Sequence, residues 1–197
     1  MSARIASKED YRRFLESDLV ANKLSRWKWW FRFRYPILNW QRLLRHTEYL
    51  LSCKRGVIWR IYRLMTHYRV RQGGIKLGFT IHPNNFGSGL AIVQRGTIVV
   101  NPAVRVGQNC RLHPGTCLGE TETGAPVLGD NVYIGPGAKL FGGIVLGNNV
   151  QIVANAVVNR SFPDGNTTLV GVPARSITTR ARESAVTCGC GQPSSCD

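Results

Sequence analysis

Acidic residues are scarce in this chain: 11 Asp and Glu stand against 26 Lys and Arg in 197 residues, a formal net charge of +15. The excess is local. Residues 1–75 carry seventeen cations against five acids, a net of +12, whereas residues 76–177 carry seven against four. Any attraction to a polyanion or an anionic lipid surface therefore belongs to the N-terminal part. The opening segment MSARIASKEDYRRF lacks an apolar stretch, which excludes a secretory-signal reading. Charge is also missing from the twenty residues Leu140 to Asn159, the one place that invites a membrane span. That run holds Asn148, Asn149, Gln151, Asn155 and Asn159, and its apolar residues recur every six, so the span is rejected. Without a secretory address, the six cysteines read as reduced thiols in a cytoplasmic protein, with the inner membrane surface as a further location.

The period of six organises the rest. Aliphatic residues stand at Leu128, Ile134, Leu140, Leu146, Ile152 and Val158, and four residues after each come Val132, Ala138, Ile144, Val150, Ala156 and Phe162. Upstream, Val106, Leu112 and Leu118 keep the step, as do Phe86, Ile92 and Ile98, with eight residues between Ile98 and Val106. Six fits neither a helix nor simple alternation. It fits a short strand plus a corner, three sides to a coil of eighteen residues, with Leu128 stacking on Leu146 and Ile134 on Ile152. Glycine and asparagine between the aliphatic positions suit corners that need positive φ. The step widens to ten between Leu118 and Leu128, which marks GETETGAP as a loop ejected from the stack. The pattern ends after Val158 at SFPDGNTT, and GVPARSI closes the domain. The spacing thus predicts an all-β parallel β-helix over residues 76–177, followed by a disordered tail over 178–197. In that tail Cys188, Cys190 and Cys196 offer three thiols without a fourth ligand, a weak basis for a metal site.

Residues 1–75 form a basic, aromatic-rich helical module. Helices are expected over 7–72, with Pro36 starting one and Gly56 breaking two apart. Ile58, Ile61, Tyr62 and Met65 make an apolar stripe. The segment RWKWWFRFRYP, residues 26–36, interleaves aromatics with cations. Its readings are a peripheral membrane contact, or packing on the β-helix or a neighbouring subunit while the cations snorkel outward. A nucleic-acid partner is not expected, although the same residue types would serve one.

The segments NPAVRVGQNCRLHPGTCLGE and LGDNVYIGPGAKLFGGIVLGNNVQIVANAVVNRSFPDGNTTLVGVPARSI resemble the serine acetyltransferase branch of the hexapeptide-repeat acyltransferases. The likeness runs from about Gly78 to Ile177 and leans toward bacterial members that O-acetylate surface polysaccharides. It implies a left-handed coil, a homotrimer, and acetyl-CoA as co-substrate between adjacent prisms. The implied activity is O-acetylation of a hydroxyl on a surface-glycan sugar or its precursor, with serine the less favoured acceptor. The family's base is a histidine in a pattern like H-x-G-x-I-V, where this chain reads Gln94-Arg95-Gly96-Thr97-Ile98-Val99. An amide takes no proton, so Gln94 can orient a hydroxyl but not deprotonate it. The family's aspartate and second histidine are replaced by Thr80 and Ala125. Only His82 and His113 lie in residues 76–177, too few for the three-histidine zinc site of a carbonic anhydrase. His82, before Pro83, reads as structural. His113, in RLHPG, follows a core position and should point outward beside the loop with Glu120 and Glu122. It is the candidate for the base or for positioning the acceptor. The resemblance places pantetheine along the later coils, lined by Pro136 and Ala154, eighteen residues apart on one corner, with Arg175 meeting a CoA phosphate. A trimeric scaffold that keeps the fold with impaired catalysis is the alternative that Gln94 leaves open.

Overall fold

The computed structural model describes residues 4–177, so the three tail cysteines lie outside the described residues. Four helices come first: α1 (Lys8–Ala21), α2 (Phe31–Arg34), α3 (Pro36–Cys53) and α4 (Val57–Leu77). Ser7 caps α1 by accepting the Asp10 N–H, and Pro36 occupies the first turn of α3, where its missing N–H costs nothing. Gly78, at φ +84°, takes the left-handed conformation that ends α4. α4 continues five residues beyond the expected limit of 72, through Gly73 and Gly74. Two glycines weaken a helix, but here they admit close neighbours. A Cβ on Gly73 would lie 2.7 Å from Trp40 Cδ1, and one on Gly74 2.6 Å from the Phe79 carbonyl oxygen. Trp40 Nε1 also donates to the Val70 carbonyl at 2.8 Å, fastening α3 to α4.

From Phe79 onward the chain winds through three parallel sheets. The first contains Phe79–Thr80, Ile98–Val100, Thr116–Gly119, Lys139–Phe141 and Val157–Val158. The second contains Arg105–Val106, Val127–Leu128 and Val145–Leu146. The third contains Ala91–Ile92, Arg111–Leu112, Tyr133–Ile134, Val150–Ile152 and Thr167–Val170, with Arg175–Ile177 folding back antiparallel. The stacking read from the period is present: Leu146 pairs with Leu128, and Ile152 with Ile134. The inward residues Ile92, Leu112, Ile134, Ile152 and Leu169 form one buried column. Each fully buried aliphatic side chain contributes roughly 1.5–3 kcal/mol, so the repeat is itself the stabilising core. The stack does not end after Val158. Phe162 bridges to Leu146, and Leu169 pairs with Ile152, so a last irregular coil continues past SFPDGNTT. Its spacing departs from six, which is why the period alone missed it.

One corner carries a polar ladder. Asn109, Asn131, Asn149 and Asn166 all adopt positive φ, between 48° and 58°. Each donates its amide to the next, at 3.1, 2.9 and 2.8 Å. Asparagine tolerates this conformation better than other side chains, and the ladder recovers part of its cost.

The helices are clamped to the first coil by a buried ion network. Arg45, fully buried, reaches Asp18 at 2.9 Å and Glu48 at 3.0 Å. It also donates to the carbonyls of Phe86, at 2.9 Å, and Gly87, at 2.6 Å. Asp18 accepts the N–H groups of Gly89 and Leu90, and Glu48 that of Asn84. Burial works against the Arg45 charge, but the two carboxylates outweigh it and raise its pKa above the ordinary value. Burial pushes the Glu48 carboxyl up, with Arg45 and the Asn84 N–H pulling it back. The open end of the β-helix, whose backbone groups would otherwise lack partners, is thereby satisfied by side chains.

Candidate active site on one corner of the β-helix

All five residues singled out in the sequence fall along one edge of the prism, where the chain leaves the third sheet for the first. Pro136 follows Ile134 by two and Ala154 follows Ile152 by two, so these two occupy equivalent places on that corner, whereas Gln94 lies in a wider turn of the first coil, which takes six residues from Ile92 to Ile98 where the next takes four from Leu112 to Thr116. His113 directly follows Leu112 on the coil after that of Gln94. Arg175 pairs with Val170, which follows Leu169 at the same edge. Backbone bonds tie the corner together, from His113 N–H to Ile134 and from Asn155 N–H to Pro136, at 3.1 and 2.9 Å. Four ladder steps separate the coil of Gln94 from that of Val170, a run of about 19 Å at ~4.8 Å per step.

His113 departs from expectation in two ways. Its Nε2 is closed off from solvent and lacks a hydrogen-bond partner, with the ring 5.0 Å from that of Tyr133. It therefore does not point freely outward. Glu120 and Glu122 are exposed in the ejected loop, at the far end of strand Thr116–Gly119, on a different edge from His113. Burial, and then the nearby Arg111, hold the His113 imidazole below its ordinary pKa of 6.5. It is thus neutral near pH 7, the state able to accept a proton. Gln94 is exposed, and no hydrogen bond joins it to His113. His82 donates its N–H to Asn85 Oδ1 at 2.8 Å at the start of the stack, far along the chain from this corner.

The helical module adds what sequence reasoning missed. A groove of about 350 Å³ is lined by Arg34, Tyr35 and Ile37 on one side and, on the other, by Ile92 and by Val93 and Arg95, the chain neighbours of Gln94. It places two guanidinium-bearing residues, Arg34 and Arg95, sixty-one positions apart in sequence, around one concavity. Only the docking of α3 on the first coil brings them together, so no local signal could have shown it.

Six-residue sides wound into three parallel sheets define the hexapeptide-repeat class of β-helix. Residues 125–160 match the model of the bacterial transferase hexapeptide (six repeats). The serine acetyltransferase of Synechococcus elongatus is 37% identical over 122 residues, covering 59% of this chain and 48% of that protein. That of Staphylococcus xylosus is 34% identical over 143 residues, covering 70% and 62%. A serine acetyltransferase solved in complex with CoA superposes with a TM-score of 0.65 at 25% identity, over 86% of this chain and 71% of that one. The chain belongs to the hexapeptide-repeat acyltransferases related to serine acetyltransferase. It spans about half to three-fifths of the length of the curated relatives it matches. These relatives overturn the expected glycan acceptor, because they are serine acetyltransferases throughout. Corner residues of a repeat build the coil and do not report the acceptor.

Proposed function

We propose that this chain transfers the acetyl group of acetyl-CoA to the hydroxyl of serine. The observation that carries the reading is the single edge that gathers Gln94, His113, Pro136, Ala154 and Arg175. CoA lies along it, with Arg175 at a phosphate and the pantetheine arm passing Ala154 and Pro136 toward Gln94. The thioester then stands beside the groove of Arg34 and Arg95, whose guanidinium groups suit the carboxylate of serine. The serine hydroxyl attacks the thioester carbonyl, and His113 takes its proton. The Gln94 amide donates to the oxygen that gains negative charge, a role open to an amide although base catalysis is not. Collapse of the tetrahedral intermediate expels the CoA thiolate, which takes up a proton.

The assembly is a homotrimer in this reading. Val127 and Val145 lie side by side and exposed on one prism face, and Val99 and Phe141 are exposed on another, apolar surface suited to a neighbouring prism. Residues 26–36 make a peripheral membrane contact, supported by the exposure of Trp29, Trp30 and Phe33. Their cations stack on the aromatics themselves, Lys28 over Trp30 and Arg32 over Trp29, rather than fixing them to the β-helix. The test of the activity is mass spectrometry after incubating the full chain with acetyl-CoA and L-serine. Serine gaining one acetyl group, faster than with heat-denatured protein, is the expected result, and no such product overturns the reading.

A further inference from the structure

α4 buries only Thr66, Val70, Gly74 and Leu77. Its other side shows solvent a continuous apolar stripe, with Val57 76% and Ile58 81% exposed, followed by Ile61, Leu64, Met65 and Tyr68. Steps of three and four from 58 through 61 and 65 to 68 keep these residues on one helix face. The apolar stripe legible in the sequence is therefore not a core stripe. Soluble proteins seldom leave contiguous apolar surface of this kind uncovered.

Its surroundings say what covers it. Lys54, Arg55, Arg60, Arg63, Arg69 and Arg71 flank the stripe, and no acidic residue occurs between Lys54 and Lys76. A second copy of the same face would set cations against cations, which disfavours self-pairing. Bare polyanion binding would leave the aliphatic side chains wet. An anionic lipid surface meets both demands, since the apolar face enters the acyl boundary while arginines extend to the headgroups. Among the described residues no helix is long and apolar enough to cross a membrane.

We propose that α4 lies flat on an anionic lipid bilayer through Val57, Ile58, Ile61, Leu64, Met65 and Tyr68. This extends the contact of residues 26–36 to a second element, and it is independent of the acceptor of the acetyl group. The test sediments the full chain with phosphatidylcholine vesicles, with and without phosphatidylglycerol. Two variants accompany the wild type: Ile58→Ser with Ile61→Ser and Met65→Ser, and Trp29→Ser with Phe33→Ser. All five positions are exposed, and circular dichroism checks that the fold persists. The expected result is binding to the anionic vesicles only, release by high salt, and a fall of about tenfold or more in the α4 variant. Binding that the α4 variant retains in full overturns the proposal, even where the Trp29 and Phe33 variant loses it. So does absence of binding at low salt. Light scattering in which the α4 variant alone dissociates an oligomer would assign the stripe to a second copy instead, and retention of a single-stranded oligonucleotide in place of vesicles would assign the face to nucleic acid.

Discussion

Replacing Arg45 by methionine removes the guanidinium that Asp18 and Glu48 both contact, and does so where neither carboxylate can turn to solvent. The side chains of Asp18 and Glu48 are 3% and 2% exposed. Breaking such a pair costs about 3–5 kcal/mol, because a charge is left buried without compensation. The carbonyls of Phe86 and Gly87 lose their donor in the same step, each a further loss of about 1–3 kcal/mol where no water replaces it. The total, about 5 kcal/mol or more, is comparable with the whole stability of an ordinary domain. Urea unfolding followed at 222 nm should show the helical signal lost at much lower denaturant. A triple variant, Asp18→Asn, Arg45→Met and Glu48→Gln, should recover part of the loss. Its amide oxygens can still accept from Gly89, Leu90 and Asn84, and no buried charge remains. A loss below about 1 kcal/mol for the single variant, the range of solvated surface pairs, would refute the clamp.

Three further outcomes follow from the candidate edge, the asparagine ladder on another corner and the half-buried histidines. Gln94→Ala should lower acetyl transfer by about 10²–10³, measured as thiol release, since it removes the amide that donates to the developing oxyanion. Asn131→Ala should cost about 1–3 kcal/mol in urea unfolding, because alanine must hold φ 58° and two ladder bonds are lost. His46, His82 and His113 all have pKa values lowered by burial, so the unfolded chain binds protons more readily than the folded one. Stability should be complete above the ordinary value of 6.5 and fall as pH drops through the lowered folded values. Stability rising on acidification over that range would contradict the sign.

The β-helix was legible because a six-residue step is a covalent property of the chain, and each inward side chain repeats the same demand. Leu128 on Leu146 needed only counting. The corner shared by Pro136 and Ala154 follows from the same arithmetic. Leu169 was not legible, since the last coil reaches it by a step of its own through Phe162. The ion clamp escaped notice for a different reason. Asp18, Arg45 and Glu48 each look like one more charge on an amphipathic helix, and only the approach of α1 and α3 to Phe86 and Gly87 buries them. His113 does face the outer side of the coil, but its cover by Tyr133 on the next coil, which closes off Nε2, could not be read from spacing. The acceptor lay beyond sequence pattern altogether: corner residues build the coil, and the groove of Arg34 and Arg95 exists only once the helices dock.

The central claim is acetyl transfer to serine with His113 as base, and steady-state thiol release from acetyl-CoA tests it most directly. The full chain should release CoA in a serine-dependent manner, with a rate that falls as pH drops below the lowered pKa of His113. His113→Ala should reduce kcat by about 10²–10⁴ while leaving the KM for acetyl-CoA near its original value. Serine-dependent release that is equally fast in His113→Ala, or release indifferent to serine, would contradict the account.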